Sequence, residues 1–379
     1  MEPSPASLSL TTTRYPVIDV LRAFAALAVV ACHCVVVGLW PAEPLGVVAR
    51  FARYGWLGVD LFFVISGFVI TNAALKLRHL GWRNYFFAFW VRRVARIVPL
   101  YYVTLVAYLI LINHGPIAGG DALKQIGTHL LLIHQWWPDT AGSINPVTWT
   151  LGIEVLFYLV AWTLVGLRVV SIGRGAGFIA LTVGVSIGYR LLVFQIQPVE
   201  HLRIFWSNQV FGLLDGFMLG TAIAVWRGSA KRAIAEAPES FFLNPVTLMI
   251  SGLLLLVPCL WVVDSHIADF WHHRFIVSGF RTLTACAFGL MVLAAVRWQQ
   301  SVPVPQSLEF LGKISYGIYL WHLIILLWLQ KSANLSGLPL VASTLSLTFA
   351  LSTITYYLVE LPGQRWGSGV CRRWPGAGS

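Results

Sequence analysis

Charge is scarce in this 379-residue chain. Lys, Arg, Asp and Glu together make up 11% of it, Asp and Glu number only 15, and apolar residues reach 58%. A soluble globular domain carries about a quarter charged residues. The length would allow two such domains; the composition excludes them and points to a polytopic membrane protein with one helical domain. Cysteine is also sparse. Of Cys32, Cys34, Cys259, Cys286 and Cys371, the first four sit in apolar runs, where Cys acts as a small apolar residue. No CxxC or Cys/His ligand spacing occurs, so neither a zinc site nor a disulfide framework is implied. No basic block is interleaved with aromatics, so the net charge of +11 does not signal a nucleic-acid partner. No convincing internal repeat is visible.

What is present is a series of apolar runs, and the first sets the theme. Tyr15–Leu39 is long and apolar enough to cross a bilayer as a helix, yet Asp19, Arg22 and His33 interrupt it. With no small-residue cleavage site close behind, it reads as a retained helix and not a removed signal peptide. Arg22 and His33 are eleven residues apart, ~20° of net rotation and ~16 Å of rise, so both point from one stripe at different depths. Ionisable groups aligned along a membrane helix need partners or a water-filled path.

Nine further spans follow, near Trp56–Leu75, Val98–Asn113, Trp149–Leu167, Phe178–Phe194, Gln209–Trp226, Pro245–Val263, Phe275–Val296, Ile314–Leu329 and Leu338–Val359. The expected fold is all-α, a polytopic bundle of about ten transmembrane helices. Residues 1–13 read as a loose tail, 14–361 as the membrane domain and 362–379 as a short C-terminal tail. The second half of Lys76–Arg96 reads as a short interfacial helix. Leu123–Trp136 is too short and polar for a confident span and suits a re-entrant or loop segment. Eighteen of the 26 Lys and Arg residues fall on the side of the N-terminus. The positive-inside bias therefore predicts both termini in the cytoplasm, with the chain multi-pass in the plasma membrane.

Depth then sorts the charges. His33 on helix 1, Asp60 on helix 2 and Glu154 on helix 4 share the outer half of the membrane. A His held by a carboxylate can serve as a general base; the plainer alternative is an ion pair that fixes helix packing. At the other end, FWVRRVARIVPLYY places Arg92, Arg93 and Arg96 in one turn. Arg forks suit phosphate, although a lipid-headgroup patch uses the same residues. With Arg22 added, a phosphate-bearing donor fits there, and the rise to His33 matches an extended pantetheine arm. Trp149, Tyr319 and the mid-membrane His322 are candidates to line an acyl or sugar site, although for the aromatics an interfacial belt is the favoured reading.

R-x10-H at Arg22–His33, GVDLFFVISGF at Gly58–Phe68, RxxRIxPxY at Arg93–Tyr101, WTLxxEVxFY at Trp149–Tyr158 and SYxIYLWH at Ser315–His322 occur in this order. In this, nearly the whole chain resembles the acyltransferase-3 family of integral membrane acyltransferases. The resemblance implies transfer of an acyl group, usually acetyl from acetyl-CoA, to a hydroxyl of a carbohydrate such as a cell-surface polysaccharide. It implies that Arg22 and His33 are both needed, with acyl-CoA a donor substrate and no permanently bound cofactor. Ala23 stands where Gly is common and Thr150 where Ser is usual. Only about twenty residues follow helix 10, so no fused SGNH-hydrolase-like domain is expected. The expected site is His33 as base, supported by Glu154 or Asp60, with Arg22, Arg92, Arg93 and Arg96 on the donor phosphates. Two rivals use the same residues: an acyltransferase for a cytoplasmic acceptor (a macrolide or lipid intermediate), and a glycan or anion transporter. The lack of repeats counts against the latter.

Overall fold

The computed structural model describes residues 15–38, 46–113, 115, 119, 121–169, 175–230, 244–266, 268–298 and 303–374. The tail at 1–13 lies outside them, as do Leu39, Trp40, His114 and the orientation markers Arg14, Arg174, Lys231 and Arg232. Among the described residues there is no strand. Ten helices among the described residues are long and apolar enough to cross a membrane, and each corresponds to an expected span.

The helices are α1 (Pro16–Val36), α2 (Gly46–Ala52), α3 (Gly58–Leu77), α4 (Trp82–Leu111), α5 (Ala122–Leu130), α6 (Trp149–Gly166) and α7 (Gly175–Ile196). They continue with α8 (Glu200–Ser207), α9 (Leu214–Ala230), α10 (Pro245–Ser265), α11 (Arg274–Arg297), α12 (Gln306–Ala333), α13 (Gly337–Thr355) and α14 (Leu361–Arg373). α12 is central, with 72% of its apolar window buried, against 22% for α7 and α10. The exposed Leu254, Val257 and Trp261 of α10 and Leu181 and Leu192 of α7 form the apolar outer surface that a bilayer would cover.

α1 packs between α3 and α12, and α3 packs against α6, α9 and α11. Close approach depends on glycine. A Cβ on Gly67 would strike the Phe217 carbonyl, and one on Gly220 would strike the Val64 carbonyl. Small residues at such crossings let membrane helices associate by close van der Waals packing. Farther out, Arg190 and Asp215 pair at 2.6 Å inside the core, with Thr282 donating to the same carboxylate oxygen at 2.5 Å.

Two stretches differ from expectation. The segment read as a separate interfacial helix and the third span form one 30-residue helix, α4, running through Pro99. Proline removes one backbone hydrogen bond, but in an apolar surround a broken helix would expose still more unpaired groups, so the helix continues. At the other end, a π turn at Tyr356–Glu360 carries α13 into α14, making a helix of much of the stretch read as a tail. α14 lies on α4, where Gly363 and Gly367 face Ala95 and Trp374 stacks on Phe87 at 3.8 Å. The Leu123–Trp136 piece is the short α5 followed by a 3-10 turn, not a span.

Candidate active site

Five helices each turn one helical stripe toward a cavity beside α1. α1 supplies Arg22, and α3 supplies Val59, Phe62, Phe63, Ser66 and Val69. α4 contributes Arg93, Arg96 and Ile97, α6 contributes Thr150, Glu154 and Tyr158, and α12 contributes Ser315, Tyr316 and Tyr319. Counted from the first residue named, the steps on α3, α4 and α6 are three, four or their sums, so each of these sets lies on one face of its helix, and on α12 Ser315 and Tyr319 are four apart with Tyr316 beside them. The space is narrow, about 90 Å³. A wider cavity of about 490 Å³ is lined by Val29, His33, Trp56, Trp149, Phe270, Trp271 and Arg281, among others. Val59 and Tyr319 line both, so the two cavities meet at these side chains. Arg22 faces one and His33 the other, as two residues on one stripe of α1 separated by ~16 Å of rise should.

The narrow cavity has largely apolar walls into which a small set of charged and hydroxyl groups is placed. Glu154 accepts hydrogen bonds from Ser66 Oγ at 3.1 Å and Tyr158 OH at 3.0 Å. The Arg93 guanidinium stands 5.8 Å from the centroids of both the Phe89 and Tyr158 rings. Arg22 lies 3.9 Å from Asp19, a loose pairing that leaves most of its fork available. Three guanidiniums and one carboxylate line this cavity. Asp19 and the buried Glu360 stand behind them, within electrostatic range of Arg22 and Arg96. The wall is therefore cationic while the charges around it are nearly balanced, and Arg forks on such a wall suit a phosphate-bearing guest.

His33 lines the wide cavity and meets His322, which is buried behind it and is absent from the lining. The two ring nitrogens, His33 Nδ1 and His322 Nε2, are 3.2 Å apart. His322 Nδ1 lies 3.1 Å from the Ile318 carbonyl and His33 Nδ1 lies 3.0 Å from the Val29 carbonyl. A carbonyl accepts only, so His322 carries its proton on Nδ1 and its Nε2 is the acceptor. The proton between the rings is then on His33 Nδ1, shared with Val29 O, and His33 Nε2 keeps its lone pair. This is the tautomer a general base requires. Tyr319 donates to the Val147 carbonyl at 2.8 Å and its ring lies 5.9 Å from His322. The approach to α12 is set by Asn145, whose left-handed φ of 45° lets its buried amide donate to the Leu320 carbonyl at 3.2 Å.

The other expected residues are placed as follows. Among the described residues His33 has neither Glu154 nor Asp60 as a hydrogen-bond partner; Val29 and His322 hold that position. Asp60 accepts from Arg281 at 3.3 Å, and Arg281 stands 5.6 Å from the Trp56 ring. Six residues along α3 amount to ~600°, so Asp60 and Ser66 leave the helix on different faces. Trp149 lines the wide cavity and meets Phe63 edge-on at 6.4 Å. Arg92 is absent from both linings; α14 passes beside it at Gly367.

Sequence reasoning overlooked Ser66, Tyr316 and Arg281, and noted Tyr158 only as one of the aromatics around Glu154. Tyr158 is four residues from Glu154, a spacing that places neighbours on one helix face. Arg281 interrupts an apolar span, and an ionisable residue there is a functional signal by default.

The Acyltransferase domain family matches residues 15–358. The chain is 26% identical to the peptidoglycan O-acetyltransferase OatA of Listeria monocytogenes, over 94% of this chain and 57% of that protein. It is 26% identical to the putative peptidoglycan O-acetyltransferase YrhL of Bacillus subtilis, over 92% and 54% respectively. The O-acetyltransferase OatA of Staphylococcus aureus is 24% identical, over 93% and 57%. The chain thus spans little more than half the length of these curated relatives. No solved structure matches.

Proposed function

The chain belongs to the acyltransferase family that it matches over residues 15–358, and from that premise we propose a membrane O-acyltransferase that moves an acyl group, acetyl in the simplest case, from acyl-CoA to a carbohydrate hydroxyl. One observation carries the reading: an arginine-lined cavity and a histidine-lined cavity meet at Val59 and Tyr319. A donor with phosphates at one end and a thioester at the other spans such a pair. The phosphates lie by Arg22, Arg93 and Arg96, with Glu154 limiting the positive charge and orienting Tyr158. The thioester reaches the junction, and the acceptor occupies the wider cavity, where Trp56, Trp149 and Trp271 offer flat apolar surfaces to sugar rings. The excess of Lys and Arg on the N-terminal side supports donor entry from the cytoplasm of a plasma-membrane protein. The relatives named for peptidoglycan support a cell-wall or surface glycan as acceptor.

The chemistry needs one base. His33 Nε2 takes the acceptor hydroxyl proton as that oxygen attacks the thioester carbonyl. The C–S bond breaks, an ester forms, and the imidazolium returns the proton to the departing thiolate. His322 holds His33 in the required tautomer. The experiment is thiol release from acetyl-CoA by purified protein in proteoliposomes, with and without a panel of glycans. Release should depend on one of the glycans, with acetyl ester appearing on it by mass spectrometry. His33→Ala should lose about 10²–10⁴-fold in turnover while remaining a folded bundle. Glycan-independent release, or wild-type turnover in His33→Ala, overturns the reading.

A further inference from the structure

We propose that the loop joining α10 to α11 binds a transition-metal dication of the zinc class through His266 Nδ1, the Asp269 carboxylate and His273 Nε2. These three residues bring one ligand atom each within 4.8 Å of one another. His266 Nδ1 is 3.2 Å from Asp269 Oδ1, and His273 Nε2 is 2.7 Å from Asp269 Oδ2. Ligands at ~2.0–2.2 Å from a tetrahedral zinc stand roughly 3.3–3.5 Å apart. With all three ligand atoms within 4.8 Å of one another, the set is near the size of a coordination sphere.

The backbone that carries these ligands is already tied down. The His266 N–H donates to the Val262 carbonyl at 3.1 Å, ending α10, and the Asp269 N–H donates to the His266 carbonyl at 3.2 Å. The His272 N–H donates to Asp269 O at 2.8 Å, and Val277 N–H to His273 O at 2.9 Å, which starts α11. From a separate helix, α8, Arg203 Nη1 donates to the Trp271 carbonyl at 2.7 Å. Loop ligands held in this way lose little freedom when an ion binds, and this favours affinity.

The donor set selects the ion. Two imidazoles and one carboxylate suit zinc and its neighbours, whereas calcium and magnesium prefer all-oxygen shells. All three side chains are part-exposed, between 36% and 51%, so an ion enters from solvent and keeps water in its remaining positions. The same loop carries Phe270 and Trp271, which line the cavity of His33. A bound ion would fix that wall from behind, so its arrival is expected to register in the emission of Trp271.

The test uses the full chain with any affinity tag removed, stripped with a chelator and titrated with zinc sulfate. Wild type should retain one zinc per chain after desalting, unaffected by millimolar magnesium. His266→Ala/His273→Ala and, separately, Asp269→Asn should bind at least about tenfold more weakly. Asp269→Asn keeps the size of the side chain and both imidazoles, and it carries the comparison if the double variant aggregates. Trp271→Phe should retain the zinc and lose the fluorescence change. Equal zinc in wild type and Asp269→Asn, or no zinc retained by wild type, overturns the proposal. The result does not depend on acyl transfer, because the readout is metal content.

Discussion

At His33, one ring nitrogen is committed to His322 and to the Val29 carbonyl, and the other is left for chemistry. In the proposed mechanism His322 acts as a positioning residue, and its substitution separates that role from mere packing. His322→Ala should lower kcat about tenfold or more, within the range that general-base work supplies, with KM for acyl-CoA nearly unchanged. His322→Gln offers a carbonyl oxygen to the same His33 N–H and should recover part of the loss. Equal activity for both variants would remove the positioning role. The arginines divide similarly. Arg93 and Arg96 line the narrow cavity and Arg92 does not. Arg93→Ala should weaken acyl-CoA binding by roughly 1.5–3 kcal/mol, the worth of a charge-assisted hydrogen bond, and Arg92→Ala by much less. Titration of CoA against both variants checks this; matching losses would restore a diffuse headgroup-like patch.

Between elements, the α3–α9 crossing fixes where the α3 stripe faces. Gly67 and Gly220 hold the two backbones against each other, and the same α3 turns Ser66 toward Glu154 and Asp60 toward Arg281. A methyl group at Gly67 would run into the Phe217 carbonyl and the Thr221 amide, both backbone groups that cannot swing aside. Gly67→Ala is therefore expected to cost about 1–3 kcal/mol, the usual range for overpacking, and to lower activity through the displaced stripe. Gly188, on α7, has open space at the corresponding position. Gly188→Ala should be neutral or gain up to about 1 kcal/mol from helix propensity. Thermal midpoints in one detergent compare the two; an unperturbed Gly67→Ala would mean that the helices are not held at that distance.

For the molecule as a whole, acid is the informative variable. Outside the spans, His134 is buried under α5, stacked on His129 with ring centroids 4.2 Å apart. Burial first, and then the neighbouring His129, push its pKa down from 6.5 to about 3. Above pH ~6.5 both folded and unfolded chains hold it neutral, and its contribution is complete. As the pH falls from there toward about 3 the unfolded chain takes up a proton that the folded chain refuses, so stability declines. The thermal midpoint of wild type should drop more steeply between pH 7 and pH 4 than that of His134→Gln. Parallel slopes would assign the acid sensitivity to other groups.

The sequence by itself determined the ten spans, because a run of some twenty apolar residues has few alternatives to a membrane helix. It also determined that Arg22 and His33 share a stripe, since periodicity within one helix is local geometry. Resemblance in motif order identified the family. It did not determine the azimuths of the helices about one another. His33, Asp60 and Glu154 were expected at similar depth and were therefore expected to meet. Depth follows from counting residues, but contact also requires that the helices face each other. The α3–α9 crossing at Gly67 and Gly220 sets the faces from which Ser66 reaches Glu154 and Asp60 reaches Arg281 on α11, and the close approach of α12 to α1, with Gly312 against the Asp19 carbonyl, brings His322 to His33. The junction of two cavities at Val59 and Tyr319 likewise exists only in the assembled bundle, because its walls come from helices hundreds of residues apart. Side-chain periodicity is written along the chain, whereas partnership between stripes is decided by which backbones can approach.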